Sequence, residues 1–256
     1  MFLSDFHIHS TCSSDGHDTM TDMAHAARKN SVEIICFTDH CDVDEFMTGR
    51  FDPHCFDHWP KILKQFSELK ENCPPGMDVR LGLELGEGNH KPELADKIAA
   101  SPELDFIIGS IHNLLDTPDF YAIRYESYEQ CVELTHKYFD ELSELAELDC
   151  FDCVGHIGYE RRYMLKYGFD VRAEDVRFSE QADRLLRRII ERGKGIEINC
   201  SGLRTPQMQC TIPDVPILRR YQELGGEIIT VGSDAHRVSD AGAGLRHGIE
   251  LLKELG

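Results

Sequence analysis

The stretch FLSDFHIHS at residues 2–10 decides how the whole chain is interpreted. It is an apolar run, Phe2–Ile8, whose end carries His7 and His9. Side chains two residues apart lie on the same side of a β-strand, so both imidazoles are predicted to converge on one point. An isolated HxH pattern is common by chance. The ends of the other predicted strands therefore decide whether this pair is functional.

Six further apolar runs follow, and a helical pattern separates each run from the next. The predicted strands are Phe2–Ile8, Glu33–Thr38, Val79–Leu85, Phe106–Ile111, Phe151–Gly155, Gly195–Asn199 and Ile228–Gly232. The predicted helices cover about residues 19–30, 56–72, 91–100, 126–148, 172–193, 214–225 and 240–255. Alternating strands and helices predict a parallel sheet with helices outside it. In a chain of 256 residues this pattern favours an α/β barrel, with one domain over residues 1–256.

Every predicted strand ends in a polar or metal-competent side chain. These end residues are His7 with His9, Asp39 with His40, Glu84, His112, His156, Asn199, and Asp234 with His236. In a parallel barrel such ends meet at one face, where barrel enzymes hold their active sites. Imidazoles and carboxylates without thiolates suit zinc, manganese or iron. Because one zinc takes about four ligands, this many donors predict two or three divalent ions.

Composition excludes several classes of protein. The net charge of −19 argues against a nucleic-acid or anionic-lipid binder, which needs clustered Lys and Arg. A small anionic substrate is still compatible, because bound metal ions can invert the sign of a pocket. No run approaches about 18 apolar residues, and the first residues lack the basic and apolar regions of a signal peptide. We therefore expect a cytoplasmic protein without a disulfide framework, and its oligomeric state stays open.

The chain resembles the polymerase and histidinol phosphatase (PHP) superfamily. The motifs that carry this resemblance are DFHIHS (5–10), SDG (14–16), TDH (38–40), GLE (82–84), GSIH (109–112), GH (155–156) and GSDAH (232–236). They span nearly the whole chain in the order that the family has. The resemblance implies a distorted (β/α)7 TIM-like barrel.

The resemblance also implies a trinuclear metal site. The first ion would be held by His7, His9, Glu84 and Asp234, the second by Glu84 as a bridge with His112 and His156, and the third by Asp15, His40 and His236. Some relatives have histidine where this chain has Asp15. That difference affects which metal occupies the third position.

Two segments resemble the histidinol-phosphate phosphatase branch, in which arginines at these places hold phosphate. They are YERRY at 159–163, directly after His156, and NCSGLR at 199–204. The planar guanidinium can bind two phosphate oxygens at once. The candidate phosphate ligands are therefore Arg204 and either Arg161 or Arg162, with Arg162 preferred. Gly158 stands where relatives often have an acidic residue, which leaves the amine-binding wall undefined.

These features predict a metal-dependent phosphomonoesterase that converts L-histidinol phosphate to L-histidinol and phosphate in histidine biosynthesis. The ions would activate a water for in-line attack, while an arginine offsets charge on the phosphate oxygens. Asp234, Glu84, Arg204 and Arg162 form the predicted catalytic set. His17 is a substrate-binding candidate that, like Asp234 or a metal-bound water, could protonate the leaving group. Acidic residues expected at the mouth are Asp42, Asp44, Glu87 and Glu160.

Three alternatives stay open at this stage. The chain could act on another small phosphomonoester or a nucleotide. It could be a metal-dependent amidohydrolase, although no predicted strand ends in the lysine that such barrels typically use. It could also be a non-catalytic metal-binding domain, although such domains tend to lose ligands and the whole set is present here.

Overall fold

The computed structural model describes residues 2–44 and 54–256, without the side chains of 54–57. Its core is a parallel sheet in the order β1-β2-β4-β5-β6-β7-β8, which is the predicted seven-strand path. The strands are β1 (Ser4–Ile8), β2 (Ile34–Phe37), β3 (His40–Asp42), β4 (Asp78–Gly86), β5 (Phe106–Ser110), β6 (Cys153–Val154), β7 (Gly195–Asn199) and β8 (Ile229–Gly232). Most of these strand residues are buried, which explains their nearly continuous apolar runs.

One strand, β3, was not predicted. Residues 34–37 of β2 pair with the first half of β4, and residues 40–42 of β3 pair with its second half. The two short strands thus follow the same edge of β4 and are interrupted at Thr38 and Asp39. This break places His40 directly opposite Glu84 in the register of the sheet.

Backbone hydrogen bonds beyond the ends of β1 and β8 join the two edges of the sheet. The Asp234 N–H donates to the His7 carbonyl at 2.7 Å, and the His9 N–H donates to the Ala235 carbonyl at 2.9 Å. The predicted HxH and DxH segments are therefore neighbours across the seam of the barrel. Gly232 is required here, because a Cβ at this position would lie 2.3 Å from the His7 Cβ.

Helices follow the strands in the predicted order, but two of them begin five to seven residues later than predicted. They are α1 (Met20–Lys29), α2 (His54–Glu71), α3 (Pro92–Ala99), α4 (Tyr128–Leu145), α5 (Arg161–Met164), α6 (Ser179–Glu191), α7 (Val215–Glu223) and α8 (Leu245–Leu255). Thr19 and Ser127 cap α1 and α4 by accepting hydrogen bonds from Asp22 N and Gln130 N. Helix α8 begins later than predicted because Gly244 has a left-handed φ of 84°. The short helix α5 was not predicted.

The buried apolar side chains of strands and helices form one core, which includes Phe37, Phe120, Tyr138, Phe139 and Phe178. Eight of the ten cysteines are free thiols, whereas Cys41 is disulfide-bonded. Within residues 2–44 and 54–256, no helix is both long and apolar enough to cross a membrane.

Candidate metal centre and active site

Glu84, in the second half of β4, lies at the centre of the site. Its Oε1 is 2.7 Å from His156 Nε2 and 3.0 Å from His112 Nε2. Its Oε2 is 3.1 Å from His7 Nε2 and 3.0 Å from His40 Nδ1. The carboxylate is 1% exposed, so four imidazoles share it out of contact with water. Each oxygen of Glu84 thus lies next to two imidazoles.

Asp234 completes one side of this centre. Its Oδ1 lies 3.5 Å from His9 Nε2 and 3.9 Å from His7 Nε2, and Glu84 Oε2 lies 3.5 Å from the same His9 nitrogen. Asp234 has a left-handed φ of 53°. Its neighbour Ser233 is fixed by the buried carboxylate of Asp5, which accepts hydrogen bonds from Ser233 N and Oγ at 2.8 and 2.6 Å.

A third group lies nearer to solvent. Asp15 is 3.1 Å from His236 Nε2 and 3.8 Å from His40 Nε2. The His9 ring stacks against both other imidazoles, with centroids 4.0 Å from His236 and 4.4 Å from His40. The Asp15 side chain is 58% exposed, whereas Glu84 is almost completely buried. All nine predicted metal ligands thus lie around one point.

The donor atoms fit a bound metal. His7 Nε2, His9 Nε2, His40 Nδ1, His236 Nε2 and Glu84 Oε2 are all buried, and their close contacts with one another and with Asp15 lack the angles of hydrogen bonds, so none has a hydrogen-bond partner among the described residues. Leaving a buried polar atom unsatisfied costs about 1–3 kcal/mol. Three of the four groups of three donor atoms that lie within 4.8 Å of one another in the described residues consist of predicted ligands: His7, His9 and Glu84; His9, His40 and His236; His40, Glu84 and His112. Cations at these positions would satisfy the unpaired atoms.

Electrostatics keep Glu84, Asp234 and His9 in forms that can bind a cation. Burial opposes ionisation of Glu84, but His7, His40 and His112 hold its pKa well below the usual value. Burial likewise opposes ionisation of Asp234, and His7 and His9 again lower its pKa. Burial, together with the neighbouring His236 and His40, lowers the pKa of His9 to about 3. Ionised carboxylates and a neutral imidazole are the forms that coordinate metals. Burial opposes protonation of His7, His40 and His112, but the neighbouring carboxylates outweigh it and raise the pKa of each, so a cation would displace protons from these three.

Three residues orient the metal-binding histidines; the sequence analysis missed Glu197 and Ser13 and expected Asp42 only at the mouth. Glu197 in β7 is fully buried, and its Oε1 lies 2.7 Å from His7 Nδ1. Ser13 Oγ lies 3.0 Å from His9 Nδ1, and Asp42 Oδ1 lies 3.1 Å from His112 Nδ1. Each contact leaves the Nε2 atom of the histidine directed at the centre, as partners of metal ligands usually do.

A signal for Glu197 is present in the sequence. It lies two residues before Asn199, which the strand-end pattern singled out, so both side chains share one face of β7.

Asp39 has a different role from the strand-end residues around it. Its carboxylate accepts four hydrogen bonds, at 2.7 to 3.1 Å, from the backbone and hydroxyl groups of Ser10 and Ser13. It therefore shapes the loop that presents His9.

The arginines lie in two different environments. Arg162 Nη2 donates to Ser201 Oγ at 2.7 Å and lies 3.6 Å from Asp234 Oδ2, while its buried Nε has no partner among the described residues. Arg204 Nη2 donates to the carbonyls of Ser233 and Asp234 at 2.8 and 3.1 Å, and its Nη1 is likewise buried and unpaired. Arg161 instead donates to Asp170 at 2.7 Å.

A cleft of about 420 Å³ adjoins the metal ligands. It is lined by Arg162, Arg204, His17, Arg237, Asp15, Asp234 and His236, with Ser201, Thr205 and Asp240. Arg161 is not among its lining residues, so the geometry favours Arg162 as the anion-binding member of the pair. His17 is exposed at the edge, where its Nε2 accepts from Arg237 Nη2 at 3.3 Å.

The acidic residues expected at the mouth differ in accessibility. Glu87 and Glu160 are completely buried, so neither lies at the mouth. Asp44 is paired with Lys91 at 2.9 Å and with His90 at 3.1 Å. Asp42 is partly exposed, and one of its oxygens faces His112. The prediction was wrong for Glu87 and Glu160 because sequence position alone does not reveal the depth of a side chain behind a strand end.

Comparisons with known proteins agree with this geometry. The family model described as the PHP domain matches residues 5–201. The chain is 30% identical to a protein named probable histidinol-phosphatase from Clostridium acetobutylicum, over 97% of this chain and 92% of that one. It is 24% identical to a protein named histidinol-phosphatase from Lactococcus lactis, over 98% of this chain and 91% of that one.

A solved structure has the same fold. It is a histidinol phosphate phosphatase from Lactococcus lactis, in complex with zinc, L-histidinol and phosphate. Its TM-score against this chain is 0.77 at 24% identity, and the match covers 99% of this chain and 94% of that chain. The predicted distorted barrel is therefore confirmed.

Proposed function

Because the chain belongs to the PHP domain family, we propose that it is a metal-dependent phosphomonoesterase that hydrolyses L-histidinol phosphate to L-histidinol and phosphate. The observation that carries the proposal is the group of unpaired, buried donor atoms around Glu84, next to a cleft lined with arginines. The names of the Clostridium and Lactococcus relatives support the choice of substrate. A cytoplasmic location remains a prediction.

Two to three divalent ions of zinc, manganese or iron would occupy the centre. We propose three ligand sets: His7, His9, Glu84 and Asp234; Glu84, His112 and His156; and Asp15, His40 and His236. When bound, such ions lower the pKa of water and offset negative charge on phosphate. Zinc in the Lactococcus structure supports this class of metal.

Arg162 and Arg204 would hold the phosphate. Each has a guanidinium nitrogen that is buried and unpaired, and both side chains line the cleft beside Asp234. Their existing hydrogen bonds, to Ser201 and to the backbone carbonyls of residues 233 and 234, fix the guanidinium planes before substrate arrives. Such preorganised donors stabilise the charge that develops on the phosphate oxygens. We assign His17 to the outer edge of the same cleft, as a substrate contact.

The experiment measures phosphate release from L-histidinol phosphate by protein stripped with a chelator and then restored with zinc or manganese. We expect no turnover in the stripped protein and recovery on restoration. Full activity in metal-free protein would overturn the metal-dependent mechanism. Restored protein that binds metal but releases no phosphate from any phosphomonoester would favour a non-catalytic metal-binding domain.

A further inference from the structure

Asn199 ends β7 beside the metal centre and is not among the proposed metal ligands. The residue is 0% exposed. Its backbone is fixed by a neighbouring segment, because the Asn199 N–H donates to the Ile212 carbonyl at 2.8 Å and the Ile212 N–H donates to the Asn199 carbonyl at 2.9 Å. A buried amide on a backbone held in this way can fix the groups that its side chain contacts.

The Asn199 amide makes hydrogen bonds at both of its ends. Its Nδ2 lies 3.2 Å from Asp234 Oδ2 and 3.3 Å from Glu197 Oε2. Its Oδ1 accepts the Ser201 N–H at 2.9 Å and lies 2.5 Å from Ser201 Oγ. Because a backbone N–H can only donate, the amide oxygen must face Ser201, and the amide nitrogen therefore faces the two carboxylates.

Ser201 connects Asn199 to Arg162. The Arg162 Nη2 lies 2.7 Å from Ser201 Oγ. Since a guanidinium has no acceptor, Ser201 Oγ must accept this bond, and its single hydrogen is left to bond Asn199 Oδ1. The Arg162 guanidinium also lies over the Tyr159 ring, with its Cζ 4.8 Å from the ring centroid. Stacking restrains the plane of the guanidinium, and the bond to Ser201 fixes its rotation within that plane.

The nitrogen of the Asn199 amide holds the proposed metal ligand Asp234. Asp234 Oδ1 faces a metal-binding histidine, 3.5 Å from His9 Nε2. Asp234 Oδ2 accepts from Asn199 and lies 3.6 Å from Arg162 Nη2. Because the two oxygens rotate together about the Cβ–Cγ bond, a hydrogen bond to Oδ2 also fixes the direction of Oδ1. One buried side chain is thus bonded to a metal ligand at one end and, through a hydroxyl, to a phosphate ligand at the other.

We infer that Asn199 is a positioning residue for both parts of the site. Its nitrogen orients Asp234, and its oxygen orients Arg162 through Ser201. The inference rests on the proposed phosphatase function and adds a residue that acts through the proposed ligands without touching substrate. Arg204 is held differently, because two backbone carbonyls accept from its Nη2. Loss of the Ser201 hydroxyl should therefore disturb Arg162 and leave Arg204 in place.

The test uses two variants that differ in the contacts they remove. Ser201→Ala removes the acceptor for Arg162 and leaves Asn199 bonded to Asp234, whereas Asn199→Ala removes both contacts. Ser143→Ala is the control, because its hydroxyl donates to a carbonyl of its own helix, α4, at 2.7 Å. The measurements are kcat/KM for L-histidinol phosphate with metal-loaded protein, the Kd for inorganic phosphate, and the Kd for zinc in competition with a chelator. Thermal unfolding shows whether each variant is folded.

We expect Ser201→Ala to lower kcat/KM and to raise the Kd for phosphate by about tenfold each, because Arg162 loses its fixed orientation. The Kd for zinc should stay at the wild-type value, as should all properties of Ser143→Ala. In an Arg162→Ala background, Ser201→Ala should cause no further loss, whereas in an Arg204→Ala background the loss should persist. A general structural role would give the same loss in every background. That result, or no loss in any background, would overturn the inference.

Asn199→Ala should show the same loss and should also raise the Kd for zinc by about tenfold or more, since Asp234 loses its partner. An unchanged Kd for zinc in folded Asn199→Ala protein would overturn the role toward Asp234, and the Ser201 comparison does not depend on whether this variant folds. The titrations with phosphate and zinc need no turnover. A wild type that binds both but releases no phosphate from L-histidinol phosphate would therefore refute the proposed function, and the two titrations would still decide the role of Asn199.

Discussion

Glu197→Gln tests whether a carboxylate behind the metal ligands sets the affinity of the centre. In the wild type, Glu197 Oε1 lies 2.7 Å from His7 Nδ1, and Oε2 accepts the His156 backbone N–H at 2.9 Å. Glutamine has nearly the same volume but offers one acceptor and one donor group. Whichever way the amide turns, either His7 or His156 faces an N–H instead of an acceptor.

Loss of such a partner typically lowers metal affinity by about 10- to 100-fold. The assay is competition for zinc against a chelator of known affinity, with thermal unfolding to confirm that the variant is folded. Activity should recover largely at saturating metal, because Glu197 is not itself a ligand. Glu227→Gln, at an exposed position before β8, is the control and should bind metal like the wild type. Unchanged metal affinity in folded Glu197→Gln protein would refute the reasoning.

Three further predictions concern other parts of the site. Glu84→Gln should lower metal content and kcat together, because a neutral amide cannot hold two cations; elemental analysis of the purified variant checks this. Arg162→Ala should lower kcat/KM by about one to two orders of magnitude at unchanged metal content, and Arg161→Ala should have a smaller effect. Burial raises the pKa of Glu160 to about 7, so the wild type should lose stability as pH rises from about 4.5 through 7. Glu160→Gln should remove this loss, which amounts to about 3 kcal/mol of unfolding free energy by pH 8, as denaturant titrations at pH 5 and 8 would measure.

The strand-end pattern singled out eight of the nine proposed metal ligands, because topology alone brings them together, whereas Asp15 came from the family resemblance. In a parallel barrel, the carboxyl ends of all strands lie at one face. A residue at the end of one strand is therefore close to the end residues of the others, however distant they are in sequence. His7 and Asp234 are an example, since their segments meet across the seam between β1 and β8.

The residues that the pattern missed lie one layer away from those ends. Glu197 is inside an apolar strand, where a carboxylate is tolerated only because His7 and the backbone of residue 156 satisfy it. Arg161 and Arg162 are adjacent on a helix of four residues, and only the rotation of that helix decides which one enters the cleft. Periodicity cannot resolve so short a helix. The three-residue strand β3 was missed for the same reason.

The central claim is tested most directly by measuring kcat/KM for L-histidinol phosphate with metal-loaded protein. The comparison is a panel of other phosphomonoesters that includes a nucleotide and the phosphate of an uncharged sugar. The unpaired donor atoms around Glu84, the arginines of the cleft and the similarity to proteins named histidinol-phosphatase together predict that L-histidinol phosphate has the highest value in the panel. They also predict that a chelator abolishes turnover. A higher value for the nucleotide or the sugar phosphate, or turnover that survives complete removal of metal, would contradict the account.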